Sequence, residues 1–280
     1  MNIKITADST CDLSDELINE NNVEIFPLYI VKGNGTFKDK LEISTDDIFN
    51  YYAQTKKLCT TSAVSEYDYE QRFATLSKEY DAVIHIGMSS ALSASCQNAK
   101  IAAENYDNVY VIDSQSLTTG HGFMVLKAAQ MAANGCGTEE IINAVEAMKP
   151  KIEASFLIET LEYLAKGGRC SSVAALGANL LHLKPCIDVI DGKMKVSKKY
   201  KGSMEKCLHE YVLDRLKNCD DLDTERIFIT YPDYRKESVD TVVEAIKECA
   251  DFKNITPTVA SGTVASHCGP GTLGIIFMHK

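Results

Sequence analysis

Strand-like runs that alternate with helical patterns constrain this chain more than any other feature of its sequence. Ile3-Lys4-Ile5-Thr6-Ala7, Ala82-Val83-Ile84-His85-Ile86 and Val109-Tyr110-Val111-Ile112 each precede a stretch with apolar residues at helical spacing. Tyr69, Phe73 and Leu76 form one such helical face, and Cys96, Ala99, Ala103 and Tyr106 another. Strands joined by helices and reading as near-continuous apolar runs predict a parallel sheet covered on both faces. Ligands of such sheets sit beyond the carboxyl ends of the strands. Here those ends are Asp8-Ser9, Ser89-Ser90 and Asp113-Ser114, and the second opens into Ala91-Leu92-Ser93-Ala94-Ser95 before a helix begins. Unpaired N–H groups at a helix start, flanked by serine hydroxyls, suit an anion. Taken singly, these serines and aspartates read equally well as turns and helix caps, Ser93 included.

The pattern changes after Pro150. Ser155–Ile158 and Ile227–Thr230 read as strands, and Asp191-Gly192 is a hairpin signal between Pro185–Val189 and Lys193–Ser197. Ser172–Leu183 reads as an apolar helix rich in small residues, Ala174, Gly177 and Ala178 among them. Glu24–Val31 reads as one strand, irregular or at an edge because of Pro27. The segment Ser261–Gly271 reads as a loop, and in the first half two helices are expected over Gly122–Ala133 and Thr138–Met148. The predicted class is α/β with two domains: a Rossmann-like parallel-sheet domain over residues 1–150 and a mixed-sheet α/β domain over 151–280, with ligand between them.

Composition excludes several functions. A net charge of −10 argues against general nucleic-acid binding, which needs a basic footprint. No apolar run is long enough for a membrane span, and Met1-Asn2-Ile3 leads directly into a strand without a signal-peptide pattern, so a cytoplasmic location without stable membrane insertion is expected. The ten cysteines are scattered, with no Cys-x-x-Cys pair, and read as reduced, buried apolar residues. Phosphate-binding glycine motifs and the Gly-x-Ser-x-Gly elbow are missing, which leaves no pattern for ATP binding or for a hydrolase. His267 and Cys268 are chain neighbours without further ligands in reach of sequence reasoning, so no metal is expected.

In order along the whole chain, Asp8-Ser9-Thr10-Cys11-Asp12-Leu13, Thr60-Thr61-Ser62, Ser89-Ser90-Ala91-Leu92-Ser93, Val111-Ile112-Asp113-Ser114, Lys166-Gly167-Gly168-Arg169 and His267-Cys268-Gly269-Pro270-Gly271 resemble the motifs of the DegV family. The resemblance implies two α/β domains with a fatty acid between them, and a lipid-binding subunit that presents the bound acid to a separate ATP-dependent fatty acid kinase. Thr61, Ser62, Ser93 and His267 would then hold the carboxylate, with no cofactor and no catalytic residue. Ala174, Gly177 and Ala178 would line the pocket, and Arg169 and Lys201 would mark the kinase-docking surface. The chain departs from the family pattern at Ala63-Val64, where proline is common, at Ala94, where glycine is usual, at Ser266-His267-Cys268, where threonines are commoner, and at Lys201, which keeps the charge of an arginine but not its planar fork. Two rival readings accompany this one: an acyl hydrolase or transferase using Ser93 with His267, and a lipid carrier or regulator independent of any kinase.

Overall fold

A computed structural model describes residues 1–174, 183–217 and 219–280. Strand β1 (Ile3–Asp8) leads through α1 (Asp15–Glu20) to β2 (Glu24–Phe26). Next, β3 (Tyr29–Lys32) and β4 (Gly35–Lys38) form a hairpin, and α2 (Thr45–Thr55) returns to β5 (Thr60–Ser62). The alternation then continues through α3 (Glu66–Glu79), β6 (Ala82–Gly87), α4 (Ser95–Ala103) and β7 (Val109–Asp113), followed by α5 (Thr118–Ala133) and α6 (Thr138–Met148). Strands β2-β1-β6-β7 form a parallel sheet, in that order, and β4-β3-β5 a small antiparallel one. All six residues of β6 are buried, as a strand covered on both faces requires. The expected face of α3 is also its buried face: Tyr69, Phe73 and Leu76.

The second half contributes β8 (Ile152–Leu157), α7 (Glu162–Gly167), the short α8 (Ser171–Ala174), β9 (Leu183–Ile190), β10 (Lys193–Lys201) and α9 (Met204–Leu216). It closes with β11 (Leu222–Tyr231), α10 (Lys236–Cys249), β12 (Asn254–Val259), α11 (Gly262–Cys268) and β13 (Leu273–His279). Its six-stranded sheet has the order β10-β9-β8-β13-β11-β12, and only the β11–β12 pair is parallel. Asp191 and Gly192 both have positive φ, the geometry of the tight hairpin turn read from the sequence. The mixed α/β class with a parallel first sheet and a mixed second one therefore stands. No helix among the described residues is long and apolar enough to cross a membrane.

Four local expectations need correction. The strand read over Glu24–Val31 is two strands in two sheets. Pro27 offers no N–H to the ladder, and the next N–H, that of Leu28, is bound by Ser9 Oγ at 3.2 Å. Helix α5 starts at Thr118, ahead of Gly120 and Gly122. These glycines are packing devices in a buried helix: a Cβ on Gly122 would lie 2.6 Å from the Cys11 carbonyl oxygen. Ser261–Gly271 holds the helix α11, too short to show a period in sequence. Of the helix read over Ser172–Leu183, Ser172–Ala174 are helical in α8, Leu183 opens β9, and residues 175–182, Gly177 and Ala178 among them, lie outside the described residues.

The two sheets meet around α5, which packs against β1 and β6 on one side and β8, β11 and β13 on the other. Thr119 Oγ1 lies 2.9 Å from Thr230 Oγ1, and the Phe123 ring meets Phe228 edge-on at 4.9 Å. Two buried aspartates of the first half grip the start of α11 in the second. Asp39 accepts the N–H groups of Gly262 (2.8 Å) and Thr263 (3.2 Å) and the hydroxyl of Ser9 (3.1 Å), while Asp12 Oδ1 accepts the N–H of Ser261 (2.8 Å). Ser261 Oγ completes the cap by accepting the Val264 N–H at 3.4 Å. Carboxylates at a helix N-terminus satisfy N–H groups that the helix itself leaves unpaired.

Burial pushes the Asp12 carboxyl up to about 7, against the pull of Lys40, and its Oδ2 has no hydrogen-bond partner. A carboxyl whose folded value is raised binds its proton more tightly in the native state, so its contribution to stability falls as pH rises from the ordinary 3.8 to about 7. Asp12→Asn retains the acceptor for Ser261 and removes the titration. Denaturant unfolding of both proteins at about pH 5 and pH 8 should show the wild type losing stability relative to the variant at the higher pH. Parallel pH profiles would remove Asp12 as the source.

Candidate functional site

A cavity of about 300 Å³ lies between the halves. Its apolar wall includes Leu28, Met88, Leu92, Leu117, Met194 and Val264, and its polar end is formed by Thr61, Ser62, Ser93, Arg169 and His267. Leu117, Val264 and Cys268 also line a narrower apolar space that runs inward toward Phe156, Val189 and Ile276. Outward, Thr61, Arg169 and His267 are shared with an open vestibule of about 400 Å³ that carries Lys56, Lys57 and Lys166. One polar end near solvent and one apolar end between the sheets give the site its direction.

Each polar group is held by a different element. Strand β5 pairs with β3, which fixes Thr61 opposite Ile30. His267 stands in the last turn of α11, and its Nε2 lies 2.9 Å from Thr61 Oγ1. Ser93 precedes α4; its Oγ accepts the Ser95 N–H at 3.2 Å and lies 3.0 Å from Ser95 Oγ, which in turn accepts the Val64 N–H at 3.2 Å. With Ser95 donating to Ser93, the Ser93 hydroxyl hydrogen is left to point at a ligand in the cavity. Gly168, at φ +71°, ends α7 in the left-handed region, and Arg169 follows with Nη1 donating to the Gly167 carbonyl at 2.8 Å and Nε to Leu92 at 3.4 Å.

The electrostatics favour an anion held by neutral donors beside one cation. Burial, reinforced by the nearby Arg169, lowers the His267 imidazole to about 4, so it is neutral near pH 7. Its Nδ1 has no hydrogen-bond partner and faces Gly167, where a Cβ would come within 2.4 Å. A neutral imidazole carries one hydrogen, and placing it on Nε2 lets His267 donate to Thr61 and Thr61 donate to a ligand. The same orphaned Nδ1 counts against a Ser-His-acid triad, which needs an acid at that nitrogen. No hydrogen bond joins Ser93 to His267 among the described residues.

The other strand-end motifs do structural work. Asp8 accepts the Met88 N–H at 2.9 Å and the Tyr69 hydroxyl, Ser90 donates to Asp113, and Ser89 Oγ donates to the Gly192 carbonyl at 2.8 Å, tying the second sheet's hairpin to the end of β6. His85, packed among Phe26, Tyr69 and Phe73 and 3.0 Å from Thr6 Oγ1, is a core residue. Lys201 is exposed on the edge strand β10 and does not line the cavity, and Ala174 is the last residue of α8. Arg169 stands at the mouth of the cavity itself. Sequence reasoning missed Ser95 and Asp39 as supports of the site; the pairing of a serine with one two residues earlier was the available signal for the first.

The family model for uncharacterised proteins of the DegV family matches residues 2–280. A DegV domain-containing protein of Caldanaerobacter subterraneus subsp. tengcongensis is 30% identical over 99% of both chains, and Protein DegV of Bacillus subtilis is 28% identical over the full length of both. Among solved structures, the fatty-acid-binding DegV family protein of Thermus thermophilus matches with a TM-score of 0.92 at 27% identity, covering all of both chains. The structure of the fatty acid binding protein DegV from Bacillus subtilis matches with a TM-score of 0.86 at 26% identity, again over all of both chains. With the family pattern, the fold and the relatives in agreement from end to end, this chain belongs to the DegV family.

Proposed function

We propose that the protein binds a long-chain fatty acid, with the tail between its sheets and the carboxylate at Thr61, Ser62, Ser93 and His267, and presents that carboxylate to a separate ATP-dependent kinase for conversion to an acyl phosphate. The observation that carries the reading is the cavity with the Thr61–His267 pair, Ser62 and Ser93 on its lining beside a largely apolar wall, in which Thr263 is a further hydroxyl. The relatives from Thermus thermophilus and Bacillus subtilis bind fatty acids, which supports the ligand class. A carboxylate brought into an apolar channel without donors costs several kcal/mol, and charge-assisted hydrogen bonds from hydroxyls offset that cost. Each methylene buried in the channel adds roughly 0.8 kcal/mol before the costs of binding are counted.

Presentation to a kinase rests on polarity and direction. The carboxylate end opens to a vestibule with Lys56, Lys57, Lys166 and Arg169, which suits an incoming phosphoryl group, and the chain carries no phosphate-binding glycine motif of its own. In this reading Arg169 serves the vestibule, and Lys201 on the β10 edge belongs to the docking surface. A kinase-independent carrier is the second reading, favoured by the lysine at position 201 where an arginine fork is the family pattern.

Organic extraction of the purified protein followed by mass spectrometry should yield a fatty acid near one per chain; a protein that is empty and binds none would sink the proposal. Thr61→Val and Ser93→Ala should each weaken binding of a fluorescent fatty acid by roughly ten- to a hundredfold, the value of a lost hydrogen bond to a charged group, while binding of the matching fatty alcohol changes less. Equal losses for acid and alcohol would move these residues off the carboxylate. Incubation of the loaded protein with ATP and a cognate kinase should form acyl phosphate, and Lys201→Ala should slow that reaction at unchanged fatty-acid affinity. Binding without phosphorylation by any such kinase would favour the carrier.

A further inference from the structure

Among residues that do not line the cavity, three donors of mixed type meet where β11 begins and β13 ends. Cys219 Sγ lies 3.5 Å from Asp221 Oδ1 and 3.9 Å from His279 Nδ1, and those two atoms are 3.0 Å apart. All three lie within 4.8 Å of one another, so a single ion can reach them together. A tetrahedral zinc ion with bonds of about 2.3 Å to sulfur and 2.0 Å to nitrogen and oxygen separates its donors by roughly 3.3–3.6 Å. The observed triangle departs from that by a few tenths of an ångström per side.

The support around the histidine is that of a ligand. Its other nitrogen, Nε2, faces Glu153 Oε2 at 3.3 Å, and Glu153 Oε1 receives Arg215 Nη1 at 3.1 Å. A carboxylate on the far nitrogen fixes the imidazole tautomer and turns Nδ1 toward the cysteine and aspartate, the arrangement that orients histidine ligands in metal proteins. The backbone holds the donors in place as well. Leu222 is in register with His279, and the Lys280 N–H donates to the Asp221 carbonyl at 2.7 Å. Thiolate with imidazole and one carboxylate is a donor set for zinc-class ions, not for magnesium or calcium.

We propose that Cys219, Asp221 and His279 form a binding site for a zinc-class divalent ion, with a fourth position open to solvent, that clasps the segment after α9 to the end of β13. The proposal is independent of the lipid reading. Sequence inspection alone passes over it because sixty residues separate Cys219 from His279.

Isothermal titration of the reduced, metal-free full chain with zinc chloride should give one site per chain and raise the unfolding temperature. Cys219→Ser and His279→Ala should each abolish that site, and Glu153→Gln should weaken it by roughly tenfold or more. Circular dichroism without metal checks that the variants fold. If either does not, Asp221→Asn, at a side chain 65% exposed, carries the test through a measurable loss of zinc affinity. No stoichiometric binding to the wild type, or binding that persists in folded Cys219→Ser or His279→Ala or is unchanged in Asp221→Asn, overturns the proposal; persistence would assign the ion to other cysteines, of which Cys136 and Cys249 are partly exposed.

Discussion

The grip of Asp39 on the start of α11 is the interaction on which the site depends. Helix α11 is seven residues long, too short to hold its own shape, and it belongs to the half of the chain that carries the mixed sheet. Its N–H groups are nevertheless satisfied by carboxylates from the other half, so its position is referred to the parallel sheet and the small antiparallel one. One turn further along, His267 meets Thr61, itself on a strand of that small sheet. The two groups meet because both ends of the helix are anchored to the same neighbouring body.

Much of the architecture was legible because it follows from periodicity. The parallel strands, the face of α3 and the hairpin at Asp191-Gly192 are each announced by a residue pattern only a few positions long. What failed to show in the sequence depends on distant partners. Pro27 moves the chain to another sheet only because Ser9 is there to take up the Leu28 N–H, and α11 exists because aspartates 223 and 249 residues away cap it. Glycines in α5 read as helix breakers until the neighbouring backbone that occupies their missing side chains is known.

The site itself was readable in its residue types more than in its geometry. Thr61, Ser62, Ser93 and His267 carry the chemistry an anion needs, and the structure gathers them around one cavity. Arg169 lines the cavity mouth as well as the open space outside it, a position reached because Gly168 turns the chain at the end of α7. Ser95 and Asp39 act through other groups, and such support leaves no local signature. Of the serines that follow β6, Ser93 faces the cavity, while Ser89 and Ser90 hold the scaffold together.

Helix α5 has no solvent-facing side over its first nine residues, Thr118–Leu126. Each sheet therefore uses it as an inner wall, and neither owns it. Cutting the chain after the first sheet's helices would strip the mixed sheet of its covering layer and expose Phe228 and Ile276, which pack in the same apolar cluster as Ile5, Ile84 and Phe123. Although the parallel and mixed sheets follow one another along the chain, the apolar cluster around α5 is held in common, and the two halves should melt as one body, with a ligand seated across the seam between them acting as mortar.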